Sequence, residues 1–125
     1  MNRLNEIEAR ANAATEGPWM GIRDPDGSLG RVIGGNGFGV AEDFPDDADA
    51  KFIAHARTDV PDMAAALRAV LETHQDGGES QGYLDDGSYG DLPNCCTECG
   101  SFGEYGVPYP CPTVTAIRQH LGDDQ

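Results

Sequence analysis

The chain has 125 residues and a formal net charge of −14. Leu, Ile, Val and Phe together number 22, which is poor stock for a core and, with that charge, lies close to the composition of disordered chains. No run of about 18 apolar residues is present, which excludes a membrane-spanning helix. Lys and Arg are absent between Arg68 and Arg118, which argues against direct nucleic-acid binding by that half, because phosphate contacts need basic side chains.

Leu4, Ile7, Ala11 and Ala14 recur at gaps of three and four, which predicts an amphipathic helix over 2–14. Gly17-Pro18 ends it, and Trp19 follows as a core anchor. Three short strands are predicted over 19–41: Trp19 to Arg23, Leu29 to Ile33, and Phe38 to Ala41. Asp24-Pro25-Asp26-Gly27 and Gly34-Gly35-Asn36-Gly37 supply the turn chemistry between them. Asp46 to Asp49 then opens a second helix, its acids placed at the positive end of the helix dipole. Phe52, Ile53 and Ala56 mark its buried face. Asp59 reads as the cap of a third helix with Pro61 in its first turn. Met63, Leu67, Val70 and His74 share a face of that helix, which puts His74 at its last turn. Residues 75–94 are rich in Gly, Asp and Ser, lack periodicity and read as a mobile acidic loop. A last helix starts at Pro112, with Cys111 immediately before it and Val114, Ile117 and Leu121 on its apolar face.

The four cysteines carry the strongest chemical signal. The N-terminal segment Met1 to Glu6 lacks the apolar run of a signal peptide, so a cytoplasmic location is expected, where thiols serve as ligands more often than as disulfides. Cys96-x-x-Cys99 has the spacing of two thiolates that grip one metal. Cys111 precedes a helix, where free N–H groups stabilise a thiolate. With His74 these residues form the first candidate set, His74, Cys96, Cys99 and Cys111, for one structural zinc. A rival set replaces His74 with Cys95. Two vicinal ligands strain the peptide between them, which ranks that set second. Either set is closed, whereas catalytic zinc keeps a position for water. The zinc deaminase pattern is broken, because neither His55 nor His74 has a Glu two residues on.

Eight acids fall between Arg68 and Arg118. A solvated surface is one reading of them; a negative face for a basic protein partner is the other. Asp43, Asp46, Asp47 and Asp49 form one group of candidate partner contacts. Asp76, Asp85, Asp86 and Asp91 form a second. A pocket between sheet and helices, lined by Trp19, His55 and Arg57, is the competing candidate site, for a small molecule or an enzyme reaction.

The order Leu4-x-x-Ile7-x-x-Arg10-Ala11, Ala14-Thr15-Glu16-Gly17-Pro18-Trp19, Asp49-Ala50-Lys51-Phe52-Ile53-Ala54-His55-Ala56-Arg57-Thr58-Asp59-Val60-Pro61 and Ala65-Ala66-Leu67 resembles the Ead-type early proteins. These are small proteins of lambdoid phages, with relatives in actinobacteria and their phages. The resemblance covers residues 3–74. Members from actinobacteria and actinophages carry a tail similar to Cys96-x-x-Cys99 followed by Tyr109-Pro110-Cys111-Pro112-Thr113. The resemblance implies a phage or prophage origin, an early accessory role in the host cytoplasm and no established enzyme activity. Cys95 and the acidic loop depart from the family's pattern. The expectation is therefore one α+β domain over 1–125. A small antiparallel meander packs on about four short helices in all: a helix, the meander and two further helices fill 2–74, the loop spans 75–94, and a zinc knuckle with the final helix spans 95–121. Its expected role is to bind and modulate a host protein with a basic surface, as an anti-defence factor or a nucleic-acid mimic.

Overall fold

In the computed structural model, which describes residues 2–78, 80–84, 86–92, 94–101 and 105–123, one five-residue turn occurs three times. At 24–28 the Asp24 N–H donates to the Ser28 carbonyl (2.8 Å) and the Gly27 N–H to the Asp24 carbonyl (2.9 Å). At 34–38 the corresponding bonds are 2.8 and 3.0 Å, and at 84–88 they are 2.7 and 2.9 Å. In each turn a side-chain oxygen of Asp26, Asn36 or Asp86 accepts the backbone N–H two residues on. The next residue is a glycine at φ 88°, 85° or 87°, the left-handed region that a three-residue hairpin loop demands. The Ser28 and Ser88 hydroxyls also donate, and together with the backbone they hold the Asp26 and Asp86 carboxyls below the usual range.

Two of these turns join β1 (Met20–Arg23), β2 (Leu29–Ile33) and β3 (Gly39–Glu42) into an antiparallel sheet of order β1-β2-β3. Leu29 and Val32 are both buried although strict alternation would send them to opposite faces. A bulge resolves this: Ile22 pairs with Arg31 and Arg23 with Leu29, so Gly30 is the extra residue that shifts the phase.

The chain divides into two compact units, Leu4–Ala65 and Met1–Arg3 with Ala66–Gln125. The first unit has its own core of Leu29, Val32, Ala50 and Ala54, with Trp19, Val40, Phe44 and Ile53 against it. Helix α1 (Asn2–Ala13) contributes a fully buried Leu4. Helix α2 (Asp47–Thr73) opens where the acids predict: the Asp46 carboxylate accepts the Ala48 N–H at 2.9 Å. Asp47 ties the helix to the sheet by accepting the Leu29 N–H (3.0 Å), with the Arg23 guanidinium 3.6 Å away.

Three expectations need correction here. The second and third helices are one, so the described residues hold three helices, and Pro61 lies inside α2. Asp59-Val60-Pro61-Asp62 imitates a start signal, but good helix formers on both sides carry the helix through it. Phe52 is 75% exposed, and the small Ala50 and Ala54 form the buried stripe beside Ile53. Towards the end of α2 the buried side runs through Ala64, Leu67 and Leu71, while Met63 and Val70 are exposed.

The second unit holds two hairpins and a helix. β4 (Ser80–Tyr83) pairs with β5 (Tyr89–Leu92) inside the segment expected to be an aperiodic loop. β6 (Cys95–Ser101) pairs with β7 (Tyr105–Pro108), and α3 (Pro112–Leu121) follows. The core of this unit is small. Cys96, Cys111 and Val114 are buried, with Leu71, Cys99, Val107 and Tyr109 packed on them. Among the described residues no helix is long and apolar enough to cross a membrane.

Candidate metal centre

Three separate elements bring His74, Cys96, Cys99 and Cys111 together. His74 is the first residue after α2, and its N–H still donates to the Val70 carbonyl (3.1 Å), which continues the helical geometry by one residue. The chain that follows is zipped to the start of β6. The Thr97 hydroxyl accepts the Gln75 N–H (3.1 Å) and donates to the Thr73 carbonyl (2.7 Å). The Thr97 N–H donates to the Gln75 carbonyl (2.9 Å), and the Gly77 N–H to the Cys95 carbonyl (2.7 Å). Thr97 thus locks the histidine opposite the first thiol of the Cys-x-x-Cys motif.

The motif sits on a break in register. Cys95 pairs with Pro108 and Gly100 with Gly106, so four residues on β6 face one on β7. The excess chain, Cys96 to Cys99, bulges and turns both thiols to one side. Gly100 closes the bulge at φ 94°, a conformation that only glycine adopts without strain. The third thiol arrives from the start of α3. Cys111 occupies the N-cap position with Pro112 next, and its carbonyl accepts the Thr115 N–H at 2.9 Å. Tyr109, two residues earlier, is held by the Asn94 carbonyl through its N–H (2.8 Å) and lies under the Arg118 guanidinium at 5.8 Å.

The geometry is that of one coordination sphere. His74 Nδ1 lies 3.4 Å from the Cys96 sulfur and 3.6 Å from each of the Cys99 and Cys111 sulfurs. All four donor atoms fall within 4.8 Å of one another. A tetrahedral ion with metal–sulfur bonds of ~2.3 Å and metal–nitrogen bonds of ~2.0–2.1 Å sets nitrogen and sulfur about 3.6 Å apart. The residues present therefore fit a metal ion. Cys96 and Cys111 are buried and His74 and Cys99 are half-buried.

The electrostatics of the donors point the same way. Burial alone would raise the Cys111 thiol. The N–H groups of Val114 and Thr113 and the neighbouring thiols outweigh it and bring Cys111 down to about 7. Burial and the two neighbouring sulfurs push Cys99 up to about 11. Two thiolates cannot share so small a volume with a third unless a cation balances them.

The first candidate ligand set is the one brought together, and the rival set is not. Cys95 pairs with Pro108 and stands outside the cluster, because adjacent strand residues point to opposite faces. None of the four cysteines is in a disulfide.

The acids expected to meet a partner serve local structure in several cases. Asp46 caps α2, Asp47 binds β2, and Asp86 shapes its turn. Asp76 accepts the Gly78 N–H and the Asn94 amide, and Asp91 accepts the Gln81 amide. Asp43 and Asp49 are exposed, the former at φ 64°. Asp85 lies outside the described residues. The competing pocket reduces to a cleft of ≈140 Å³ lined by apolar side chains with Trp19 and Arg57 at its walls. Both walls hang on one atom: the Trp19 Nε1–H and the Arg57 Nε–H each donate to the Thr15 carbonyl at 2.9 Å. His55 does not line this cleft; it is exposed and bonded to the Lys51 carbonyl. Compared with known protein families, with curated proteins and with solved structures, the chain matches none.

Proposed function

We propose that this chain is a non-enzymatic phage or prophage accessory protein. It is stapled by one structural zinc and binds a basic surface of a host protein in the host cytoplasm. The observation that carries the reading is the closed donor set, three cysteine sulfurs around His74 Nδ1 at 3.4–3.6 Å. A complete His-Cys₃ shell stabilises a fold and leaves no position for a reacting water. Among soft, thiolate-rich tetrahedral sites zinc is the common occupant. The net charge of −14 favours a basic partner over nucleic acid. The likeness of residues 3–74 to Ead-type early proteins supplies the setting. An anti-defence factor that mimics nucleic acid is the narrower form of this role.

A small-molecule or enzyme role finds less support. The ≈140 Å³ cleft is below the ~300 Å³ at which ligand pockets begin, and the polar groups of its walls, the Trp19 and Arg57 N–H groups, are already taken up by the Thr15 carbonyl. The test of the main reading is affinity capture of the tagged, metal-loaded protein from an actinobacterial host at moderate salt. One basic host protein recovered in near-stoichiometric amount supports it. Recovery of nothing above an untagged control refutes it.

A further inference from the structure

We propose that the Tyr83–Tyr89 face of the β4–β5 hairpin is a docking surface for an arginine-presenting segment of a partner protein. This rests on the partner-binding reading above and specifies the contact. In the hairpin Tyr83 stands opposite Tyr89 and Gln81 opposite Asp91. Side chains alternate along a strand, so these four share one face. All four are exposed, the tyrosines at 63% and 64%. Between them the other face carries Gly82 opposite Gly90. The hairpin thus turns its aromatic surface outward and has no side chain to bury at its middle. A cross-strand aromatic pair steadies a hairpin by itself, but that role does not call for a carboxylate on the same face.

The chemistry of the face selects its occupant. The two rings meet edge to face, 5.3 Å apart at 81°, and an aromatic face attracts cations. Asp91 lies two residues from Tyr89, about 7 Å along the strand. The Gln81 amide holds its Oδ1 at 3.1 Å. A guanidinium can stack on a ring and fork onto such a carboxylate, which an ammonium cannot do with the same geometry. The hairpin and the segments flanking it carry no cation, since no Lys or Arg occurs in the sequence between Arg68 and Arg118. The same pairing occurs within the fold, where Arg118 covers Tyr109. The base of the hairpin is fixed by the Gly77–Cys95 and Gln75–Thr97 hydrogen bonds beside the metal ligands.

The test is fluorescence anisotropy of the metal-loaded protein with two labelled ten-residue peptides, one alternating Arg and Gly, the other Lys and Gly. The arginine peptide is expected to bind more tightly. Y83T/Y89T, which keeps strand-forming residues, is expected to weaken it about tenfold with metal content and circular dichroism unchanged. Y83F/Y89F should stay within about twofold, because the ring faces remain. Equal binding of the two peptides, no binding of either, or indifference to Y83T/Y89T overturns the proposal. A host protein captured equally well by Y83T/Y89T also overturns it, while leaving the accessory-protein reading intact.

Discussion

Removing the metal is expected to unfold residues 66–123 and to spare the β1–β3 unit. Among the described residues of the unit with the candidate metal centre, Cys96, Cys111 and Val114 form the buried cluster, and two of these three are candidate ligands. Fully burying one valine contributes roughly 1.5–3 kcal/mol. A structural zinc contributes about 10–16 kcal/mol of apparent binding energy, as large as the ~5–15 kcal/mol net stability of a whole domain. Taking the ion away thus removes more than the remaining contacts supply. The Leu4–Ala65 unit has a separate core with no metal donor in it. Hydrogen exchange read by mass spectrometry, before and after a chelator, separates the two units. Amides of α3 and of β6 and β7 should lose protection, while those of β2 and of α2 from Ala50 to Val60 keep it. Retained protection in α3, with elemental analysis confirming metal loss, would refute the argument that the ion is the core of this unit.

Cys95→Ser is expected to keep one metal per chain, because Cys95 stands outside the cluster. Cys111→Ser should weaken binding by more than the ~10–100-fold typical of losing an outer-shell partner, as cobalt absorption titrations would reveal. Metal affinity should rise with pH. Cys99, held at about 11, must release its proton on binding throughout the neutral range, which by itself contributes about a tenfold gain per pH unit between 7 and 11. Below about 7 Cys111 must release one too, which steepens the slope; chelator competition across pH measures both, and a flat profile contradicts the ligand set. Gly35→Ala places a methyl 2.7 Å from the Glu16 and Gly17 carbonyl oxygens and should cost about 1–3 kcal/mol. Gly39→Ala meets nothing within 4 Å and should be neutral or gain ~0.4–1 kcal/mol, both read from thermal melts.

The candidate metal donors were legible because His74 and Cys111 stand at helix ends and Cys96 and Cys99 carry their own spacing signal. His74 ends an apolar period, Cys96 and Cys99 carry ligand spacing, and Cys111 precedes the proline that starts α3. The preference for His74 over Cys95 rested on the strain of two vicinal ligands, and strand geometry adds that Cys95 and Cys96 point to opposite faces. The β4–β5 hairpin escaped notice although Asp86-Gly87-Ser88 repeats Asp26-Gly27-Ser28, the turn recognised upstream. Gly82 and Gly90 leave the middle of one strand face without side chains, so no alternation shows, and the repeated turn was the available signal. The Pro61 signal misled because local start chemistry and long-range helix propensity compete there, and the latter prevails. The exposure of Phe52 has no counterpart in periodicity, since alanines on the same helix take the positions nearest the sheet.

The hairpin springs from a closed base, with His74 on one side and Cys96 on the other, and Gly77 and Cys95 bonded between them. Closing a loop costs only about 0.6 kcal/mol more for each doubling of its length. Residues 78–92 can therefore lengthen, shorten or change sequence with little effect on the fold around them. That makes the segment a cassette: a place where such a chain can acquire a new binding surface while its scaffold stays the same, and a natural site for grafting one by design.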